Sequence, residues 1–589
     1  MKQFFKFMFA SMLGTILTLI VVFFLFMGLI ASIASFSEKE AVKVEQNSLL
    51  YMKLDKPIPD RTPKNPFSNM GFGGFDDLNV TGLNDMLKNI DKAAKDPNIK
   101  GIYLDLTAIP AGFANIYEVR AALEEFKESG KFILCYADML AQNAYYLASV
   151  ADEIYMNPEG GIFLTGLNAE VMFLEGTLEK LEIEAQVIRH GSFKGAVEPL
   201  MRKDLSEANE LQMRTLLESI WSEISTTISE ARNIEPENLN LIVDNLELTN
   251  ASKALKHNFV DGLKYKDEIL DMLKGKLGQE PDSEIKTVSM AKYTRAKVED
   301  EREYTRDRVA VVYATGNITM GPGDESTIGA GKLAKAIREA RQDENVKAIV
   351  LRVNSPGGDV LASEIIWREV ELASGIKPLI VSMGNVAASG GYWISAPADK
   401  ILADPLTITG SIGVFAVIPN MKEFFNDKLG ITFDGVKTNE NSDFPSVTEA
   451  LSPYQHAVLK EEIERIYSTF LTKVSNGRNL SVEHVDSIGQ GRVWSGIDAK
   501  RIGLIDEFGG LEKAITMAAG MAEIENYRLK ELPVLKDPFE ELFSEIFGGA
   551  SASQIEKHFG KYGGYINYLR SISEMEGIQA RMPYYFEIK

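Results

Sequence analysis

Short apolar runs alternate with amphipathic stretches through both halves of the chain, which predicts strands separated by helices. The first half predicts strands at 101–106, 132–137 and 153–156, with helices at 115–129 and 142–150. The second half predicts strands at 348–353, 379–383 and 400–403, with helices at 360–373 and from Ser389 onward. Strands joined by crossover helices predict an α/β fold with mainly parallel sheets.

The same patterns predict further elements outside these two runs. A loosely alternating strand is expected at 45–56, and a loop rich in Pro, Gly and Asn follows at 57–77. Long amphipathic helices are expected to pack against a sheet or a neighbouring subunit, at 206–232 and 453–475. Two more strands are predicted at matching places in the two halves, at 185–189 and 432–437.

The two halves are copies of one another at a constant spacing. Tyr145 matches Tyr392 (392 − 145 = 247), and the Ala-Asp pair at 151–152 recurs at 398–399 with the same offset. The copies are unequal, since Ser389 stands where the first copy has Gln142. A duplicated fold that keeps a candidate nucleophile in one copy indicates a composite active site.

Length and composition narrow the class of protein. At 589 residues the chain is expected to hold two domains and additional segments. The formal net charge of −21 argues against a nucleic-acid partner, because phosphate binding needs clustered positive charge. The single cysteine, Cys135, allows no disulfide within the chain, and none of the five histidines forms a metal-spaced pair, so no metal is expected.

The N-terminal segment predicts a membrane anchor. Lys2 and Lys6 precede an uncharged stretch at 7–37, which is longer than the apolar region of a cleavable signal peptide. The lysines before this stretch and Glu38 and Glu40 after it favour a cytoplasmic N-terminus. The remainder of the chain would then lie outside the inner membrane. A long signal peptide is the alternative.

These patterns divide the chain into five predicted parts. An anchor is followed by a first repeat, a charged linker, a second repeat and a C-terminal extension, at 1–44, 45–285, 286–307, 308–525 and 526–589.

Ser389 is the first candidate for chemistry. It lies between small residues at a predicted loop-to-helix junction, where free N–H groups face developing negative charge. An ordinary N-cap serine is the competing interpretation. The segment 354–359, Asn-Ser-Pro-Gly-Gly-Asp, favours catalysis, because its glycines can aim N–H groups into a cleft as an oxyanion hole requires. A plain turn is the alternative for that segment alone.

A serine nucleophile also needs a base. Lys194, in the loop after strand 185–189, is a candidate that the second copy lacks, and His190 lies nearby. A lysine can act as a base only if burial or a positive neighbour lowers its pKa, and a solvated surface lysine is the alternative.

Together these motifs resemble the long, tandem form of the signal peptide peptidase A (protease IV) family, over roughly residues 1–525. They are Ser-Phe-Lys-Gly-Ala-Val-Glu-Pro around Lys194, Asn-Ser-Pro-Gly-Gly, Ala-Ser-Gly-Gly-Tyr-Trp around Ser389, and Thr-Gly-Ser-Ile-Gly around Ser411. The resemblance implies tandem ClpP/crotonase-like repeats, a Ser389–Lys194 dyad, an oxyanion hole from the N–H groups of Gly358 and Gly390, and a lysine-orienting Ser411.

The resemblance also implies a function. The expected protein is a serine endopeptidase that degrades cleaved signal peptides at the bacterial inner membrane. Its catalytic region would lie on the periplasmic side, and it would assemble as a homo-oligomer, a tetramer in the tandem form, with no cofactor. Two alternatives remain: a crotonase-type acyl-CoA enzyme, and a non-catalytic membrane scaffold.

Overall fold

The computed structural model describes residues 2–36, 42–63, 80–296, 305–324, 326–535 and 577–582. Helix α1, Lys2–Phe36, coincides with the predicted anchor. Among the described residues, no helix is apolar over a length sufficient to cross a membrane. Much of the predicted loop at 57–77, most of the charged linker and most of the C-terminal extension lie outside the described residues.

The first half of the chain builds a six-stranded parallel sheet, in the order β6-β4-β3-β2-β1-β7, with helices as its crossovers. Its strands are β1 Ser48–Met52, β2 Ile99–Asp105, β3 Phe132–Ala141, β4 Glu153–Phe163, β5 Glu184–Arg189, β6 Gly262–Leu263 and β7 Thr287–Ser289, of which β5 belongs to another sheet. Its helices are α2 Leu83–Lys95, α3 Phe113–Lys127, α4 Gln142–Ala148, α5 Glu175–Leu181, α6 Glu207–Arg232, α7 Pro236–Asp244, α8 Ala251–Lys256, α9 Lys266–Leu277 and α10 Met290–Tyr293, with a 3₁₀ turn at Gly195–Leu200.

The second half repeats this architecture. Its strands are β8 Arg308–Thr315, β9 Asn317–Thr319, β10 Thr327–Gly329, β11 Val346–Ser355, β12 Gly357–Asp359, β13 Leu379–Ala388, β14 Lys400–Ala403, β15 Ile408–Gly410, β16 Phe415–Asn420, β17 Val493–Ser495, β18 Glu507–Phe508, β19 Arg528–Leu532 and β20 Ile578–Arg581. Its helices are α11 Ala330–Gln342, α12 Val360–Ser374, α13 Gly390–Ser395, α14 Pro453–Arg478, α15 Val482–Ile488, α16 Gly496–Arg501 and α17 Leu511–Met521, with a π-helical turn at Phe424–Leu429.

An eight-stranded sheet forms the centre of this second half. It runs β17-β15-β13-β11-β8-β19, with β14 beside β13 and β18 beside β14, and only its β15–β17 pair is antiparallel among the pairs described. The mainly parallel α/β fold predicted from the sequence is therefore confirmed. The repeat offset also holds between elements, because α2 and α11 begin 247 residues apart (330 − 83), as do β3 and β13 (379 − 132).

A third sheet joins the two halves. Its order is β10-β9-β12-β20-β16-β5, so that β5 from the first half pairs with β16 from the second. The β5–β16 pair is antiparallel and continuous from Arg189 opposite Phe415 to Glu184 opposite Asn420.

One predicted strand is wrong. Residues 432–437, all of which the structure describes, form no strand and are exposed. Their first-half counterpart, β5, has β16 as a partner, whereas no described strand of the chain lies beside 432–437. The strand was predicted because 432–437 matches the strand at 185–189 in the first copy, but a strand also needs a partner for its backbone groups.

A buried charge cluster also holds the halves together. Arg352 on β11 is fully buried; its Nε lies 2.8 Å from Asp60 Oδ1 and its Nη2 lies 2.6 Å from Glu118 Oε1. Both carboxylates come from the first half. Nearby, burial and then the Glu118 carboxylate raise the pKa of Asp404 well above its ordinary value, which favours a neutral Asp404 carboxyl. Arg352 is thus the positive charge that pairs with both carboxylates.

Replacing Arg352 with methionine should destabilise the protein by about 3–5 kcal/mol, because two buried carboxylates would lose their counter-charge. The free energy of unfolding, measured by guanidinium denaturation, checks this. The matched control is Arg368→Met, since Arg368 is 60% exposed in its pair with Glu371. That control should change the free energy by less than about 1 kcal/mol. Equal losses for both variants would contradict the account of the cluster.

Candidate active site

Ser389 lies at the junction of β13 and α13, at the carboxyl end of a central strand. Its backbone has φ 55° and ψ −113°, a conformation that non-glycine residues seldom adopt. The Ser389 N–H donates to the carbonyl of Gly410 at 2.8 Å, which holds the turn in place. A strained backbone that the surrounding structure maintains is typical of functional sites, and the Ser389 side chain makes no capping hydrogen bond to α13.

Lys194 reaches this serine from the first half. It follows β5, and the pairing of β5 with β16 places its loop against the second half. The Lys194 Nζ lies 2.8 Å from Ser389 Oγ, and both side chains are fully buried. The structure therefore brings together the two residues that the sequence analysis selected from different repeats.

Ser411 gives Lys194 its other contacts. The Lys194 Nζ lies 3.0 Å from Ser411 Oγ and 3.1 Å from the Ser411 carbonyl oxygen. Ser411 itself has φ 51°, and its N–H donates to the Arg492 carbonyl at 2.7 Å. Three oxygen atoms around one nitrogen fix the direction of the amine toward Ser389.

The electrostatic setting favours a neutral amine. Burial lowers the pKa of Lys194 well below its ordinary value, because the charged form loses its hydration in this pocket. A neutral lysine has a lone pair and can accept a proton from Ser389.

Two glycines of the second half make room for the lysine, and the sequence analysis did not identify them. A Cβ at Gly491 would lie 2.6 Å from Lys194 Cβ, and Gly491 has φ +81°. A Cβ at Gly413 would lie 3.3 Å from Lys194 Cδ. Gly413 belongs to the Thr-Gly-Ser-Ile-Gly motif, but Gly491 stands in a loop whose sequence carries no comparable signal.

Gln212 on α6 ties the lysine loop to the second half. Its Nε2 donates to the Phe193 carbonyl at 3.0 Å, and its Oε1 accepts from the Val493 N–H at 3.1 Å. The Phe193 N–H in turn donates to the Gln490 carbonyl at 3.0 Å. The residue before Lys194 is thus held on both sides by side-chain and backbone bonds.

The two predicted oxyanion glycines lie beside this pair. Gly358 is in β12, where a Cβ would come within 2.1 Å of the Ile318 carbonyl oxygen, so the close approach requires glycine. Gly390 is the first residue of α13 and follows Ser389. A Cβ on Gly357 would come within 2.7 Å of the Gly390 nitrogen, which shows how closely these backbones approach.

Strand β20 lies along the same groove. It pairs antiparallel with β12, with Gly358 opposite Ala580, and antiparallel with β16, with Phe415 opposite Gln579. The sequence analysis assigned no role to this C-terminal segment, because the groove it fills is defined only by the fold.

The corresponding place in the first half has different chemistry. Gln142 is mostly buried there, and its Oε1 accepts from the N–H groups of Thr165 and Gly166.

His190 stacks on the Tyr467 ring at 3.9 Å between centroids, and its Nδ1 lies 2.9 Å from Glu464. In the part of the chain that the structure describes, no cluster of three or more His, Cys, Asp or Glu side chains could hold a metal ion.

Comparison with known proteins identifies the class. The model of Peptidase family S49 matches the chain twice, at residues 125–280 and 371–525. Protease 4 of Haemophilus influenzae is 36% identical over 517 residues, which cover 85% of this chain and 83% of that protein. Serine protease SPPA, chloroplastic, of Arabidopsis thaliana is 34% identical over 551 residues, covering 92% of this chain and 78% of that protein.

The chain therefore belongs to peptidase family S49 and is a serine peptidase. Two family matches in one chain, with similarity to Protease 4 along most of its length, assign it to the tandem-repeat signal peptide peptidase A form. A solved structure of a ClpP1 mutant from Listeria monocytogenes covers 35% of this chain and 94% of its own. Its identity is 16% and its TM-score 0.24, too low to carry an argument.

Substituting Gly491 with alanine should lower kcat/KM by about 10²-fold, because the new methyl group would displace Lys194 and misplacement of a catalytic group by about 1 Å has effects of that size. Hydrolysis of a synthetic peptide measures this. The matched control is Gly503→Ala, which has the same φ of +81° but whose Cβ would make only an ordinary contact, 3.5 Å from Leu480. Both variants carry the same backbone strain from φ +81°, so a difference in activity reports the contact with Lys194. Equal activities would contradict the packing argument.

Proposed function

We propose that Ser389 is the nucleophile and Lys194 the general base of a Ser–Lys dyad peptidase. The observation that carries the proposal is the 2.8 Å contact between Lys194 Nζ and Ser389 Oγ in a pocket where burial lowers the lysine pKa. A paired nucleophile and base with a third orienting group, here Ser411, is the arrangement that nucleophilic catalysis requires.

The catalytic cycle follows from these positions. Neutral Lys194 takes the proton of Ser389, whose Oγ attacks a peptide carbonyl carbon. The N–H groups of Gly358 and Gly390 stabilise the oxyanion that forms, in a site that excludes water. Protonated Lys194 then gives its proton to the leaving amine, and a water molecule, deprotonated by Lys194, hydrolyses the acyl-enzyme. Ser411 keeps the amine directed at the serine through both steps.

Ser389→Ala and Lys194→Met should each abolish cleavage of a synthetic signal peptide, with losses in kcat of about 10⁶-fold, as for other nucleophile and base removals. Methionine is unbranched and only one atom shorter than lysine, so it fills most of the same space and the fold and assembly should be preserved. Lys203→Met is the control, since Lys203 is 62% exposed in the following loop. Intact-mass analysis of the peptide gives the readout. Normal turnover in a folded Lys194→Met variant would exclude Lys194 as the base and contradict the proposed dyad.

The pH dependence of kcat/KM should report Lys194 directly. Only the neutral amine accepts a proton, so the rate should rise as pH increases through the lowered lysine pKa and then level off. The rise should end well below the pH at which a solvated lysine titrates. A profile that is flat from mildly acidic to alkaline pH would exclude Lys194 as the base.

We propose that the N-terminal segment 1–44, through its uncharged stretch at 7–37, anchors the protein in the bacterial inner membrane as a single span, with the catalytic region on the periplasmic side. The lysine pair before the apolar stretch supports this orientation. The described side chains of α1 include large apolar groups that are more than 60% exposed, such as Phe7, Phe9 and Leu13. Exposed apolar surface of this kind is typical of a membrane or protein contact.

The proposed substrates are the apolar remnants of cleaved signal peptides, which lie in or at the membrane. The assignment to the signal peptide peptidase A form and the expected anchor support this substrate class. In the dyad assay, a polar peptide of equal length serves as the comparison. Preferential cleavage of the signal peptide is expected, and equal cleavage of both would contradict the substrate proposal while leaving the dyad intact.

A homo-oligomer is the third proposal, and the repeat supports it. The first-half counterpart of β16 is found by subtracting the repeat offset of 247, which gives residues 168–173 (415 − 247 = 168). The counterpart of β5 in the second half lies at an offset of 248, because the π-helical turn at Phe424–Leu429 adds one residue to the second copy. This counterpart is 432–437 (184 + 248 = 432). Within the described chain neither segment is a strand. We propose that 432–437 of one copy pairs with 168–173 of the next, as β5 pairs with β16 within a chain.

Such a contact is heterologous, and head-to-tail association forms a ring where the rotation between copies closes. The family resemblance implies a ring of four copies. The free segment is suited to it, because Phe433 is 55% exposed and Val436 is fully exposed. Pairing with a neighbour would bury these side chains and satisfy the backbone groups of both segments.

The expected register gives a cross-linking prediction. The β5–β16 pair of Ile188 with Ala416 maps onto Val436 opposite Ala169 of the next copy. A chain carrying Ala169→Cys and Val436→Cys should therefore form disulfide-linked oligomers under mild oxidation, resolved by denaturing electrophoresis. Cys135 is buried and should not interfere. The control replaces Val436→Cys with Val482→Cys, another exposed valine. Equal cross-linking of both chains, or a monomer by light scattering, would contradict the interface.

A further inference from the structure

One arginine closes the loop that carries Lys194. Arg189 is the last residue of β5 and lies opposite Phe415 of β16. Its Nη1 donates to the Lys194 carbonyl oxygen at 3.1 Å and lies 3.5 Å from Glu198 Oε1. A single guanidinium nitrogen therefore joins the start of the loop, the candidate base and the turn that follows it.

The backbone at Lys194 makes a tight turn. Lys194 has φ −76° and ψ 74°, and the Gly195 N–H donates to the Phe193 carbonyl at 2.8 Å. These values define an inverse γ-turn centred on Lys194. Gln212 holds the Phe193 carbonyl, and Arg189 holds the Lys194 carbonyl. Each of these two carbonyl groups of the turn therefore has a side-chain donor.

Glu198 fixes the position of the arginine. It belongs to the Ser-Phe-Lys-Gly-Ala-Val-Glu-Pro motif, and its side chain is 1% exposed. Its Oε2 accepts from the Ser206 N–H at 3.2 Å, while its Oε1 faces Arg189. The adjacent Val197 is fully buried in a small apolar cluster with Phe415 of the second half. The glutamate is therefore anchored in packed surroundings, from which its charge holds the guanidinium group.

The position of this loop determines where the amine of Lys194 lies. The side chain extends from the loop to Ser389, where its Nζ is 2.8 Å from Oγ. A displacement of the loop backbone would move the amine with it, and misplacement of a catalytic group by about 1 Å costs about 10²-fold in rate. Arg189 acts on the backbone of Lys194, whereas Ser411 acts on its amine.

We propose that Arg189 and Glu198 are positioning residues for the catalytic base, an inference that rests on the proposed Ser–Lys dyad. Arg189 holds the carbonyl of Lys194 through a charge-assisted hydrogen bond, and Glu198 holds Arg189. Together they keep the amine at hydrogen-bonding distance from Ser389. Proton transfer itself stays between the lysine, the serine and the substrate.

Arg189→Met should lower kcat for a synthetic signal peptide by about 10–100-fold, because the change displaces the base. KM should stay nearly unchanged, since the interaction that is lost acts on the reaction step and not on substrate binding. Arg189→Lys should keep most of the activity. One nitrogen makes both contacts of Arg189, and an ammonium group can replace that nitrogen.

Arg232→Met is the matched control. The Arg232 side chain also donates to a backbone carbonyl, that of Asn258, and pairs with a carboxylate, that of Asp261. It lies 20 residues further along α6 than Gln212 (232 − 212 = 20), which is about 30 Å of helix. Its loss should leave kcat unchanged, and a loss of kcat equal to that of Arg189→Met would contradict the proposal.

A double variant, Arg189→Met with Glu198→Gln, separates positioning from stability. Arg189→Met alone takes the arginine away from the buried Glu198 charge, so its fold should lose stability. Glu198→Gln removes that charge, and guanidinium denaturation should therefore show the double variant to be more stable than Arg189→Met. Its kcat should nevertheless stay low, because position 189 still offers no donor to the Lys194 carbonyl. Recovery of kcat together with stability would overturn the positioning role.

The same assay keeps this proposal distinct from the dyad. Wild-type turnover in Lys194→Met would contradict both, whereas wild-type kcat in Arg189→Met beside an inactive Lys194→Met would overturn the positioning role alone. In Arg189→Met the rise of kcat/KM should also shift to higher pH, since a loosened loop admits water and moves the Lys194 pKa back toward its ordinary value. A raised KM with an unchanged pH profile would indicate a merely structural loss and overturn the proposal.

Discussion

The antiparallel pairing of β5 with β16 carries Lys194 out of the first repeat and into a groove built by the second. Each repeat forms its own mainly parallel sheet, so neither sheet could place the lysine beside Ser389 by itself. The Arg352 cluster and the Gln212 bridge hold the same junction at other points, with buried charges and hydrogen bonds from both halves. Fixing the two repeats against each other therefore fixes the distance between base and nucleophile.

The junction also creates the electrostatic condition for catalysis. Lys194 is enclosed by backbone from both repeats, and a fully buried amine is more stable without its proton than a solvated one is. Glycine at 491 and 413 allows this enclosure, because a side chain there would occupy the space of the lysine. The strained backbone of Ser389 is maintained by the same packed surroundings. The tight packing of the two halves therefore produces both the buried, neutral amine of Lys194 and the strained backbone of Ser389.

Much of this organisation could be predicted from sequence, for identifiable reasons. Strands such as 400–403 carry a strong local pattern, and the constant offset of 247 residues relates the two copies directly. The pairing of Lys194 with Ser389 came from comparing the copies and from family resemblance, since residues 195 positions apart in sequence carry no local signal of contact. The strand predicted at 432–437 failed because no described strand lies beside it as a partner. Gly491 and β20 were missed because their roles depend on what the fold brings beside them.

The central claim is that an amine of the first repeat activates a serine of the second. Reaction with a fluorophosphonate, which labels activated serines, tests this without any peptide substrate, and peptide mass mapping locates the label. The account predicts labelling of Ser389 at a rate that rises with pH through the lowered lysine pKa, and almost none in folded Lys194→Met. Labelling of Ser389 in Lys194→Met at the wild-type rate would contradict it.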